Sequence, residues 1–142
     1  MNWWQRVVSF YHNVFNVKFA IISAAFNGFV AVLVNAGHSP EQFWMAGVAQ
    51  SISSFLSTGV TARVVQHFSS IRSWPVSYFL GSLVPAVMTF AMSWLAHFWN
   101  NTPEVLASCV APTVISYTTS YVTNYITRRG YLLPGNYKEV GK

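Results

Sequence analysis

Four segments of this sequence are each long enough to cross a lipid bilayer as a helix, which takes about 20 residues. They cover residues 19–36, 43–65, 76–98 and 105–126. The first and third are strongly apolar, whereas the second and fourth are rich in Ser and Thr. Charged residues make up only 8% of the 142 residues, against roughly 25% in a soluble globular domain. The sequence therefore predicts an all-α, polytopic protein, with residues 1–142 forming a single membrane domain.

Helix-start signals precede both of the more polar segments. The turns "GHSPEQ" and "NNTPEV" each combine a hydroxyl residue for the N-cap, a proline and a glutamate. The predicted N-caps are Ser39 and Thr102, and Pro40 and Pro103 are predicted at the first helical position. Each polar segment is therefore expected to follow an apolar one after a short turn.

The basic residues predict an orientation in the membrane. All eight lie before the first segment, around the junction of the second and third, or after the fourth. The other two junctions contain no Lys or Arg, so the positive-inside rule places both termini in the cytoplasm. This distribution accounts for the net charge of +5 without a nucleic-acid partner. We expect a bacterial inner-membrane protein, with the mitochondrial inner membrane as the alternative.

The N-terminal residues have the pattern of an amphipathic helix. Within residues 2–16, Trp4, Val7 and Tyr11 fall on one helical face, and polar residues such as Gln5 fall on the other. The segment has no acidic residue and no continuous apolar run, which predicts an interfacial helix and argues against a cleaved secretory signal. A mitochondrial presequence would have a similar pattern. Residues 127–142 are predicted to form a cytoplasmic tail.

The second and fourth segments resemble each other at an offset of 62 residues. "VAQSISSFLSTGVT", starting at Val48, aligns with "VAPTVISYTTSYVT", starting at Val110. Together with the preceding turns, this match predicts a duplicated helical hairpin. Hydroxyl residues recur at helical spacing in both copies, so each copy carries a polar stripe on one helix face. The stripes comprise Ser51, Ser54, Thr58 and Thr61 in one copy and Thr113, Ser116, Ser120 and Thr123 in the other, with Gln50 beside the first.

Two interpretations of the stripes remain open. Small hydroxyl residues allow close helix approach, and each interhelical hydrogen bond contributes about 0.6 kcal/mol in membranes. On that interpretation the stripes are packing surfaces. Alternatively, the stripes line a polar path. Gln50 and Pro112 favour this interpretation, because an amide side chain in one copy and a residue without a backbone N–H in the other lie at matching depth.

Sequence motifs for catalysis are absent. The chain has no nucleophile elbow, no phosphate-binding glycine loop and no His-Glu-x-x-His motif, and its single cysteine, Cys109, excludes an internal disulfide. No acidic residue lies within the four segments. The sequence therefore predicts a non-enzymatic protein without a cofactor or a metal.

The end of the fourth segment, "NYITRRGYL", resembles the closing motif of the GtrA-like family of four-span membrane proteins. The chain length, the predicted topology, the two-hairpin repeat and the start "KFAIISAAFNGF" are also similar. That family is associated with moving polyprenyl-phosphate-linked sugars across the inner membrane. The second segment departs from the pattern, with Ala62 in place of an Asn and His67 in place of an Arg. The resemblance implies that a lipid phosphate lies near Asn124, Tyr125, Arg128 and Arg129.

These features lead to three functional hypotheses. The first is a protein that handles or translocates a lipid-linked or amphipathic substrate, with Arg63 near the inner end of the second segment as a further headgroup contact. The second is a structural or assembly subunit of a larger membrane complex. The third is a pore-forming or holin-like oligomer. Four short spans enclose little volume, so each hypothesis expects membrane lipids and a homo-oligomer or partner subunits around the chain.

Overall fold

A computed structural model describes residues 16–129 of the protein, and the regular structure in this range is helical. The predicted all-α class is confirmed. The predicted interfacial helix lies almost wholly outside the described residues, as does most of the predicted tail. The helices are α1 (Val17–Val34), α2 (Pro40–Ser69), α3 (Trp74–Trp99) and α4 (Val105–Arg128).

The two turns that precede α2 and α4 differ. Ser39 is the N-cap of α2, as predicted, and its backbone N–H and hydroxyl both donate to Gln42 Oε1, at 3.3 and 3.0 Å. The predictions that Thr102 caps α4 and that Pro103 is its first helical residue are wrong. Helix α4 begins at Val105 after a turn, and the Thr102 hydroxyl instead lies 2.9 Å from the His97 ring at the end of α3.

The helices form an antiparallel bundle in which α2 packs against the other three. The hairpins α1–α2 and α3–α4 pack closely, as does the α2–α3 pair, whereas α1 and α4 touch over only a short stretch. We call the end with the turns at residues 35–39 and 100–104 the hairpin end. The opposite end, with the start of α1, the turn at residues 70–73 and the end of α4, is the terminal end.

The distribution of side chains is the reverse of that in a soluble protein. The buried positions are mostly Ala, Gly, Ser, Thr, Asn and Gln, whereas large apolar side chains such as Phe29, Phe79 and Leu106 are exposed. Helices α1, α3 and α4 are each long and apolar enough to cross a membrane. This distribution is consistent with an integral membrane protein, because lipid solvates an apolar exterior and polar groups are satisfied inside.

Two glycines allow α1 and α2 to approach closely. A Cβ atom added to Gly28 would collide with the Ser51 side chain and would lie 3.1 Å from the Gly47 carbonyl oxygen. A Cβ atom at Gly47 would collide with the Val32 side chain and would lie 3.2 Å from the Gly28 carbonyl oxygen. The two backbones are therefore in direct contact, as in other membrane helix pairs with small residues at the crossing.

Candidate functional site

A surface groove of about 560 Å³ lies between α1 and α4, with α2 beneath it. We call it the α1–α4 groove. Several of its lining side chains, including Phe19, Ile22 and Phe26, are about half exposed or more, so the groove opens laterally where lipid chains would surround the bundle. Its polar lining comes from Asn16, Ser23, Asn27, Thr58, Thr61, Gln66, Thr89, Ser116, Thr118, Thr119, Ser120 and Thr123.

Asn35 joins α1 to the start of α4 by hydrogen bonds at the hairpin end, beyond the groove. This side chain is fully buried at the hairpin end. Its Nδ2 donates to Ser108 Oγ at 2.9 Å, and its Oδ1 accepts the Glu104 backbone N–H at 3.3 Å, which joins α1 to the start of α4. From Pro112 onward the two helices line the groove instead of packing on each other. The cavity therefore lies between the middle and the terminal end of the bundle.

The structure divides the predicted stripes between the groove and the helix interfaces. Gln50 and Ser54 are fully buried between α2 and α3, and Ser51 packs against Gly28. The Thr113 hydroxyl donates to the Cys109 carbonyl of its own helix at 2.7 Å. The remaining five stripe residues all line the groove: Thr58, Thr61, Ser116, Ser120 and Thr123.

Gln50 is the centre of a buried hydrogen-bond network that the sequence did not predict. Its Nε2 donates to Ser54 Oγ at 2.8 Å and to Ser93 Oγ at 3.2 Å, and its Oε1 lies 2.7 Å from His97 Nε2. Because an amide oxygen only accepts, His97 carries its proton on Nε2, and its Nδ1 accepts the Thr102 hydroxyl proton at 2.9 Å. No spacing rule relates residues 50 and 97, so this pairing could not be predicted from the sequence. The network joins α2 to α3 and lies outside the groove.

Asn27 places a buried amide at the side of the groove. The residue is 4% exposed, and its Nδ2 donates to Ser23 Oγ at 3.0 Å. Ser23 Oγ also accepts the Thr58 hydroxyl at 2.7 Å, so the three residues join α1 to α2. Asn27 Oδ1 has no hydrogen-bond partner among the described residues. A buried amide oxygen without a donor is unusual, because it loses its bond to water without gaining another.

The residues implied by the family resemblance lie at the terminal end and mostly contact the protein itself. Arg128 Nη1 donates to the carbonyls of Ser69 and Ile71, at 3.1 and 2.7 Å, where α2 ends. The Arg129 guanidinium lies over the Tyr125 ring, 4.6 Å from its centre. Arg128 therefore satisfies helix-terminal carbonyls, whereas Arg129 is exposed.

Asn124 and Arg63 also have partners within the bundle. Asn124 is fully buried, and its Nδ2 donates to the Ser77 carbonyl at 2.8 Å, against the α3 backbone at Gly81. Arg63 Nη1 donates at 2.8 Å to Oε1 of Gln66, which lines the terminal end of the groove. Within the part of the chain that the structure describes, none of the residues that line the groove is Lys or Arg.

Comparison with protein-family models, curated proteins and solved structures gives no match to this chain. The described residues contain no group of three or more His, Cys, Asp or Glu side chains that could hold a metal ion.

Proposed function

We propose that this protein is a four-span integral membrane protein that binds and translocates a lipid-linked or amphipathic substrate in the α1–α4 groove, without catalysis. The observation that carries the proposal is the composition of the groove. Apolar side chains of α1 (Phe19, Ile22 and Phe26) face hydroxyl residues of α4 across one cavity. Such a lining suits a molecule that has both a hydrocarbon chain and polar groups. Both termini are cytoplasmic in this proposal, and the leading location is a bacterial inner membrane.

Helix α2 is the fourth span in this proposal, although its mean hydropathy is low. Its polar residues face the other three helices, whereas Trp44, Val48, Ile52 and Leu56 are exposed. Residues 42–62 contain no charged side chain, and a helix of that length extends about 30 Å, the thickness of the hydrocarbon core. The low hydropathy therefore follows from the central position of α2, which requires a polar interior face.

Cysteine labelling tests whether α2 spans the membrane. We expect Gly37→Cys and Ser70→Cys, placed beyond the two ends of α2, to react with a membrane-impermeant maleimide from opposite sides, with Ser70→Cys on the cytoplasmic side. A Cβ atom at Gly37 has open space, and Ser70 is exposed. The native Cys109 is fully buried, so the unmodified protein is the negative control. Labelling of both positions from the same side would contradict the four-span topology.

A lipid translocation assay tests the groove. Proteoliposomes that contain NBD-labelled glucosyl diacylglycerol or NBD-labelled phosphatidylglycerol are treated with dithionite, which reduces only the outer-leaflet probe. We expect the protein to accelerate translocation of at least one probe, and we expect Thr119→Leu to slow it about tenfold, equal to about 1.4 kcal/mol. Thr119 lines the groove, and its hydroxyl donates to the Ile115 carbonyl of its own helix, so the added bulk enters the groove without breaking an interhelical bond.

The matched control for this substitution is Val114→Leu. Val114 is 59% exposed on the same helix and does not line the groove. We expect Val114→Leu to leave the translocation rate unchanged. Equal rates for both variants and the wild type, or no acceleration of either probe, would reject translocation through the groove and favour the assembly-subunit hypothesis.

A further inference from the structure

We propose that the α1–α4 groove selects a neutral amphiphile, whose hydroxyl group donates a hydrogen bond to Asn27 Oδ1. This inference rests on the proposed function, because it names the substrate class of the same groove. It also differs from the lipid phosphate that the family resemblance implies, since an anionic group requires a different lining.

The charge of the groove argues against an anionic group. Among residues 16–129, its lining contains no Lys, Arg, His, Asp or Glu side chain. A phosphate placed there would lose its hydration without a counter-ion, which is strongly unfavourable in a low-dielectric site. The guanidinium groups of Arg128 and Arg129 lie at the terminal end, where they contact the Ser69 and Ile71 carbonyls and the Tyr125 ring.

The hydrogen-bonding capacity of Asn27 indicates what the polar group must supply. Its Nδ2 is engaged by Ser23, and its buried Oδ1 has no partner within residues 16–129. An amide oxygen can only accept, so it requires a donor. A ligand hydroxyl supplies that donor and remains uncharged. The neighbouring hydroxyls of Thr58 and Ser116 line the same cavity and offer further partners to a second ligand hydroxyl.

The apolar lining accounts for the other half of the ligand. One face of α1 carries Phe19, Ile22 and Phe26. These side chains extend from Asn27 toward the terminal end of the bundle. A hydrocarbon chain that lies along this face buries apolar surface on both molecules. The groove volume of about 560 Å³ is within the usual range for a site that holds one small ligand.

Three probes with the same acyl chain test this specificity. They are monopalmitoylglycerol, its dimethyl ether, which lacks hydroxyl donors, and palmitoyl lysophosphatidic acid, in which a phosphate replaces one hydroxyl. A monopalmitoylglycerol with a diazirine in its chain labels the detergent-solubilised full-length protein, and the three unlabelled probes compete. We expect labelled peptides from α1 and α4. We expect monopalmitoylglycerol to compete at least about tenfold better than either analogue, which corresponds to about 1.4 kcal/mol of binding free energy.

The variant Asn27→Leu assigns the preference to the amide. We expect this variant to bind monopalmitoylglycerol about tenfold more weakly and to lose its preference over the dimethyl ether. Thr127→Val is the control, because the Thr127 hydroxyl is buried without a partner within residues 16–129 and lies outside the groove. The comparison of probes on the wild-type protein is independent of whether Asn27→Leu folds.

The possible outcomes separate this inference from the proposed function. Two results would overturn the neutral-hydroxyl specificity. In one, lysophosphatidic acid competes better than monopalmitoylglycerol; in the other, monopalmitoylglycerol and its dimethyl ether compete equally well. If the protein translocates phosphatidylglycerol in proteoliposomes, the proposed function stands even when either of these competition results is obtained. Conversely, the expected order of competition without any translocation in proteoliposomes would support the binding specificity and reject transport.

Discussion

Replacing Gln50 by Leu is expected to lower the free energy of unfolding by about 2 to 3 kcal/mol. Gln50 is fully buried and makes three side-chain hydrogen bonds. One is to Ser54 of its own helix, and two are to Ser93 and His97 of α3. At about 0.6 kcal/mol per bond in a membrane, their loss alone costs about 2 kcal/mol. The buried His97 ring is also left with an unpaired N–H, which adds to the cost. The measurement is reversible unfolding in mixed micelles with increasing SDS.

A double-mutant cycle tests the stated cause. When both members of a buried hydrogen-bonded pair become apolar, neither leaves the other unpaired, so the joint cost is smaller than the sum of the two single costs. We therefore expect Gln50→Leu combined with His97→Phe to be more stable than the sum of the single substitutions predicts. Strictly additive effects would show that the two side chains act independently. Thr127→Val is the control, because it removes a buried hydroxyl that has no partner within residues 16–129 and should not lower stability.

The helices could be predicted from the sequence because their ends are marked locally. Ser39 and Pro40 define the start of α2, and every charged residue except Arg63 lies outside the predicted spans. The wrong N-cap prediction at Thr102 has a tertiary cause: its hydroxyl pairs with the His97 ring, so it does not cap the helix that follows. Local capping rules describe which side chains can bind a helix end, but not whether another part of the fold has already engaged them.

The groove could be predicted only in part. Helical periodicity identifies a polar face, and five of the stripe residues do line the cavity. However, periodicity does not say which neighbour that face meets. Helix α2 contacts three other helices, so Gln50 faces α3 while Thr58 faces α1. Asn27 stands out in the sequence as a polar residue within an apolar segment, but the lack of a partner for its Oδ1 among residues 16–129 is a property of the folded chain.

Replacing either Gly28 or Gly47 by Leu is expected to destabilise the protein by about 3 kcal/mol, at the upper end for overpacked interfaces. Both glycines lie where α1 and α2 cross, and a Cβ atom at either position would approach the opposing backbone carbonyl to 3.1 or 3.2 Å. A flexible side chain could move away from such a contact, but a helix backbone moves only if the whole interface separates. Ser23, one turn from Asn27 on α1, accepts a hydrogen bond from Thr58 of α2. Separation of the two helices would therefore also break this bond and alter the groove.

Gly37→Ala is the matched control, because a Cβ atom at Gly37 has nothing within 4 Å and the residue lies in the turn between the same two helices. We expect this variant to unfold at the wild-type SDS concentration, and we expect Gly28→Leu to unfold at a lower one with reduced translocation. The variant Gly28→Ala should fall between them, since its single methyl meets the Ser51 side chain, which can change rotamer, before it presses on the Gly47 backbone. Wild-type stability for both leucine variants would mean that α1 and α2 do not approach at these glycines. The placement of Asn27 beside the groove would then lose its structural basis.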